Sequence, residues 1–316
     1  MSAGGAALRA RFGALPDHRQ GLLAVVAAAV LWSTGGLFIK WVSLDAFGVT
    51  MWRSLLAGTT MALLTRTRPP LPWRADWLTW SLAVSYALML VLFVSATKLT
   101  TAANAIFLQY TAPLYVLAFS TFFLREVVTR VDLACVAVSF GGMALFFLGR
   151  LDASDVGGNA CALGSGLAFA VFLTLLRSPR CGPKTRPRAM VLGNGLLVAA
   201  MLAVNLGRAD PAPFTPGAAD VAGLLFLGVL QIGLAYVFFG YGIARVQALE
   251  ASLIGMLEPV LNPVWVFFFL GETPGWWAVA GGAVIVGAVT ARTALAERER
   301  GRAAAAAAFG ILGSET

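Results

Sequence analysis

Glu258 is the one acidic side chain set well inside an apolar run, within ASLIGMLEPVLNPV at 251–264. A charge at the centre of a bilayer costs about 3 kcal/mol on insertion scales, so an ionisable group there asks for a reason. A lone carboxyl at that depth can carry a proton or hold a cationic group; protonated, it can also do no more than brace a proline-broken helix. Gly255, Glu258 and Asn262 fall on one helical face by their spacing, which favours a polar lining. Arg53 is the basic counterpart inside an apolar stretch. It suits a ligand carboxylate or Glu258 itself, and its length also lets it reach water or helix-end carbonyls.

Other polar or amphipathic groups in apolar runs are Trp32, Tyr86, Gln109, Tyr110, Asn194 and Gln231. Aromatic rings with a few amides suit an organic metabolite better than a bare ion. Gln231 and Tyr236 are five residues apart, about 140° around an α-helix, so one of the two is expected to face inward, and Gln231 is preferred. Pro113, Pro259 and Pro263 each remove a backbone donor, freeing the carbonyls of Gln109, Gly255 and Pro259. They predict hinges beside a cavity, against the competing reading of plain structural kinks.

Several chemistries are excluded. The single histidine, His18, precedes the first apolar run, so no Ser-His dyad or HExxH zinc site can form in the bilayer, and no phosphate-binding loop is present. An enzyme is therefore not expected, nor a cofactor. Cys135, Cys161 and Cys181 have no metal-like or CxxC spacing, which predicts neither a metal nor a disulfide. The net charge of +8 is not gathered on one basic segment, so nucleic acid is not an expected partner. Neither a channel's repeated selectivity ring nor a sensor's output domain is visible.

The elements that must position these residues follow from composition. The 316 residues are 59% hydrophobic and 12% charged, with a mean hydropathy of +0.81. A membrane helix takes about 20 apolar residues. Cutting at charge clusters and Pro/Gly breaks predicts spans at 21–42, 46–65, 77–97, 103–124, 131–149, 158–177, 189–207, 221–243, 250–271 and 276–295. The first run is longer than a signal-peptide core and reads as a retained span. With the N-terminus inside, the basic residues outside are Lys40, Lys98, Arg150 and Arg208; apart from Arg53, all others fall inside. Both termini are thus expected in the cytoplasm, with the chain in an inner (plasma) membrane. Trp41, Trp73, Trp77, Trp276 and Trp277 fall at span ends as interfacial anchors, and the alanine-rich tail after Arg302 reads as a fraying helix or disordered end.

Sliding 92–141 onto 238–287 places Pro113 on Pro259, Phe122-Phe123-Leu124 on Phe268-Phe269-Leu270, and Glu126 on Glu272. It also places Ala134, Ala137, Val138 and Gly141 on Ala280, Ala283, Val284 and Gly287. Five spans per copy is odd, so the copies must enter the membrane from opposite sides. The expected fold is an all-α membrane protein with ten transmembrane helices as two inverted five-helix repeats. Its parts are an N-terminal segment 1–20, halves 21–149 and 157–295, and a tail 296–316. The pairs Ala137/Gly141 and Ala283/Gly287 have small-xxx-small spacing, predicting close packing of spans five and ten, behind the cavity or at a homodimer contact.

LWSTGGLFIK at 31–40, Arg53, TTAANAIFLQYTAPLYV at 100–116, the 251–264 stretch and the twice-occurring Leu-x-Glu at 124–126 and 270–272 together resemble the EamA-type members of the drug/metabolite transporter superfamily. The resemblance covers about residues 20–295. It implies a secondary transporter, foremost an exporter, of small metabolites such as amino acids or related amphipathic compounds. The inverted halves lead to an expected mechanism of alternating access around a midplane cavity, and Glu258, by its isolation and depth, is the proton-coupling candidate. A facilitative uniporter or a multidrug or vitamin transporter of the same fold is the alternative. The implied partners are a small-molecule substrate and the lipid bilayer.

Overall fold

The computed structural model describes residues 13–68, 75–148, 155–208, 214–270 and 275–312; Trp73, Arg150 and Glu272, singled out above, lie outside these, as do the side chains of Asn262 and Pro263. Every regular element among the described residues is helical, and the helices fall into ten rods. Rod one is α1 (Asp17–Trp32) and α2 (Gly35–Trp41); rods two and three are α3 (Ala46–Leu64) and α4 (Trp77–Leu99). Rod four is α5 (Ala102–Gln109) and α6 (Ala112–Phe119), prolonged by a π-helical turn, Ser120–Leu124. Rods five, six and seven are α7 (Arg130–Phe146), α8 (Val156–Arg177) and α9 (Thr185–Leu206). Rod eight joins α10 (Ala218–Leu225) and α11 (Ala235–Gly242) through a π-helical stretch, Phe226–Leu234. Rod nine is α12 (Ala248–Gly255) and α13 (Leu257–Leu270), and rod ten is α14 (Trp276–Leu312). Among the described residues, seven helical bodies are long and apolar enough to cross a membrane, so the chain is a multi-pass membrane protein.

Local chemistry sets the starts. Asp45 accepts from the Gly48 N–H at 2.7 Å, Asp76 from Thr79 at 2.8 Å, Thr101 from Asn104 at 3.0 Å and Asp155 from Gly158 at 2.8 Å. Each satisfies one of the orphan donors at a helix N-terminus. Thr129 and Asp132 cap α7 reciprocally. Rod ten runs well past the expected end of its span. The tail beyond Arg302 is helical to Leu312 rather than irregular, as alanine's high helix propensity favours.

Rods three and six pack most extensively, followed by one and eight, then five and ten, two and eight, and four and six. Rods five and ten do pack together, but not through the matched small pairs. Ala137, Gly141, Ala283 and Gly287 are exposed on the outside of the bundle. Contact runs through the next face, where a Cβ on Gly142 would stand 2.9 Å from Val284 Cγ1 and 3.0 Å from the Gly281 carbonyl. Trp41, Trp77 and Trp276 are exposed near rod ends.

The rod ends sort into two faces. One carries His18–Glu250 at 3.0 Å, Arg177–Glu126 at 3.2 Å, Arg245–Asp17 at 4.0 Å and the buried Arg292–Asp132 pair; we call it the basic face. The other is knitted by polar bonds between rods. Ser43 donates to Asp220 from N at 2.7 Å and Oγ at 2.8 Å, and Arg208 pairs with Asp45 at 2.7 Å. Lys98 donates to the Val42 carbonyl at 2.8 Å, and Asn104 to Asn159 at 3.0 Å.

Candidate functional site

Three helix interruptions meet near mid-bundle. Rod four breaks at Tyr110–Thr111, because Pro113 cannot donate back to Gln109. Gly166 of α8 admits the freed carbonyl: a Cβ there would lie 2.6 Å from the Gln109 oxygen. Rod nine breaks at Met256, three residues before Pro259, and rod one breaks at Ser33–Thr34 without a proline. Gln109 Nε2 donates to Ser165 Oγ at 2.7 Å, and Ser165 Oγ in turn donates to the Met89 carbonyl at 2.9 Å. Trp265 Nε1 donates to Ser33 Oγ at 2.7 Å, tying rod nine to the break in rod one.

These breaks surround a small chamber of about 30 Å³, lined by Trp32, Arg53, Gln109, Tyr110, Gln231 and Glu258 together with Met89, Leu90, Phe93, Phe169, Ile232 and Tyr236. That volume holds about one or two waters. Arg53 is 1% exposed; Nη2 donates to the Leu90 carbonyl at 3.4 Å, while Nε and Nη1 have no partner. Glu258, in the first turn of α13, accepts from Tyr110 Oη at 2.6 Å. Among the ion pairs of the described residues none joins Arg53 to Glu258. Trp32 Nε1 and Gln231 Oε1 are likewise unpartnered, and the Gln231 side chain lies over Gly35, where a Cβ would meet its Nε2 at 2.5 Å. The Trp32 ring packs on Tyr236 at 4.9 Å and Phe239 at 5.0 Å. Buried polar groups without partners are rare in folded proteins; three residues that carry them, Trp32, Arg53 and Gln231, share this one void.

Two nominated residues stand just outside it. Asn194 donates to Tyr86 Oη at 3.2 Å, and the Tyr86 ring meets Tyr236 edge-on at 5.0 Å. Pro113 is buried beside the chamber's fourth-rod wall, whereas Asn262 and Pro263 fall outside the described side chains. One expectation is corrected: Gln231 and Tyr236 both line the chamber. The five-residue argument assumed α-helical winding, but Phe226–Leu234 is π-helical. A π-helix bonds i to i+5 and so brings such residues to one face. The apolar lining residues, Met89, Leu90, Phe93, Phe169 and Ile232, carry no sequence signal, since most residues of a span are apolar.

A polar, partly unsatisfied chamber at the meeting point of broken helices in an apolar bundle is the architecture of a membrane carrier of small molecules. The chain belongs to the EamA-like transporter family, whose pattern matches residues 19–148 and again 157–291. It is a transporter, not an enzyme. It is 29% identical to a transporter of Archaeoglobus fulgidus over 86% of this chain and 95% of that one. It is also similar to the threonine/homoserine exporter RhtA of Salmonella typhimurium, 29% identical over 54% of this chain and 55% of the exporter. A solved crystal structure shares the fold with a TM-score of 0.75 at 20% identity, covering 89% of this chain and 99% of that one.

Proposed function

We propose that the protein exports small amphipathic metabolites, amino acids foremost, by alternating access between two inverted five-helix halves, 21–149 and 157–295. The observation that carries this is the chamber's pair of opposite, mutually unpaired ionisable groups, Arg53 and Glu258, set in an aromatic wall. A zwitterion answers both: its carboxylate meets the free N–H groups of Arg53, and its ammonium meets Glu258 and Gln231 Oε1. Similarity to an exporter of threonine and homoserine supports the substrate class. The halves are supported by the breaks at Tyr110 and Met256, which keep the same offset as Pro113 and Pro259. Lys and Arg asymmetry supports reading the basic face and both termini as cytoplasmic, in an inner membrane.

In proteoliposomes, labelled threonine is expected to show saturable counterflow that Arg53→Gln abolishes. Equal counterflow of amino amides, which lack the carboxylate, overturns the zwitterion reading. Proton coupling is assigned to Glu258, the chamber's carboxyl, so Glu258→Gln is expected to keep counterflow and lose pH-gradient-driven transport. Full gradient-driven transport by that variant removes Glu258 from the coupling.

A further inference from the structure

Tyr236 lines a second cavity as well, one that lies toward the basic face and has a volume of about 350 Å³. The chamber itself is too small for a metabolite in this conformation, whereas the second volume falls in the range of small-molecule sites, roughly 300–1,000 Å³.

Its lining is mixed: Met61, Pro187, Met190 and Val237 are apolar, the pliable methionines suiting varied shapes, and Arg186 and Arg245 are basic. Arg186 is anchored through Nε and Nη2, both donating to the Leu176 carbonyl at 3.3 Å, and no carboxylate among the described residues pairs with it. The charged groups acting on it are Arg177 and Arg245, both positive. Arg177 is engaged by Glu126 at 3.2 Å, and Arg245 lies over the Tyr241 ring at 3.6 Å with Asp17 at 4.0 Å. Cys181, also nearby, is a buried thiol whose pKa burial pushes up, so it stays neutral and supplies no counter-charge. The vestibule therefore holds an excess of positive charge beside apolar surface.

We infer that this vestibule is a second binding site, specific for small carboxylates with an apolar tail. Arg186 holds the carboxylate, Met61, Met190 and Val237 hold the tail, and Tyr236 partitions this site from the chamber. Its role as a waiting position for cargo rests on the transport reading above; its binding chemistry does not.

The test is calorimetric titration of the purified full chain with 4-methylpentanoate and with its uncharged amide. The acid is expected to bind, and the amide to bind at least about tenfold more weakly, the scale of one charge-assisted hydrogen bond. Arg186→Gln should weaken the acid by a similar factor. Gly240→Leu should abolish binding by filling the vestibule, since a Cβ there meets only Met190 Cε at 3.5 Å and a longer side chain reaches the cavity. Absent binding, equal binding of the amide, or binding lost in Arg53→Gln yet intact in Arg186→Gln overturns the vestibular site. Acid binding with this pattern in a protein that shows no amino-acid counterflow removes the transport reading and leaves the site standing. Counterflow without acid binding does the reverse.

Discussion

Arg53 is held where a charge is costly and its hydrogen bonds are incomplete. A group retained against stability in this way is expected to show a trade-off. Arg53→Met, close in length and apolar, should raise the melting temperature in detergent while lowering transport at least about a hundredfold, the scale of losing about 2.7 kcal/mol of substrate interaction. A fall in melting temperature with transport intact would make the arginine a scaffold residue. Arg53 and Glu258 stood out in the sequence because ionisable groups in apolar stretches are few. Nothing in the sequence distinguished Phe93 or Phe169 from apolar neighbours that face lipid, because the bilayer and the bundle interior select similar residues. The Tyr110 to Glu258 bond links residues far apart in the chain and had no local trace.

Among the elements, those interrupted by proline were legible and those interrupted by winding were not. Pro113 and Pro259 marked the breaks in rods four and nine, whereas the break at Ser33–Thr34 and the π-helical stretch Phe226–Leu234 are shifts in hydrogen-bond register that composition does not encode. The π-helical stretch makes a direct prediction. Deleting Val229 removes one residue of winding and so rotates Tyr236 relative to α10. Transport should fall at least about tenfold in a variant that still folds and melts cooperatively; normal transport would show that the stretch has no positioning role. Asp76, outside the spans, offers a pH test of a cap. The Thr79 hydrogen bonds hold its carboxyl below the usual carboxylate range. Its stabilisation is thus complete above the unfolded-state value and lost as pH falls through the lowered one. The difference in melting temperature between Asp76→Ala and wild type should be present at neutral pH and vanish in strong acid; a constant difference would exclude the cap as its cause.

Across the whole molecule, the number of helical bodies and the sorting of basic residues to one face could be read from hydropathy and charge. Which rod ends are bonded to one another could not, because those pairs join distant segments, as Ser43 and Asp220 do. That pairing can be fixed chemically. In a variant lacking Cys135, Cys161 and Cys181, a Ser43→Cys/Asp220→Cys pair should cross-link under oxidation. The cross-link should stop transport and leave an Ala244→Cys probe in the vestibule reactive, and reduction should restore transport. Continued transport through the cross-linked protein would mean that these rods need not part. The bonds between Ser43 and Asp220, Arg208 and Asp45, and Lys98 and Val42 also bear on kinetics. A carrier with cargo aboard has new contacts to set against their rupture, but a vacant one has none. Reorientation without cargo should therefore be the slow leg of the cycle, and one-for-one swapping of solute across the bilayer should outrun net efflux.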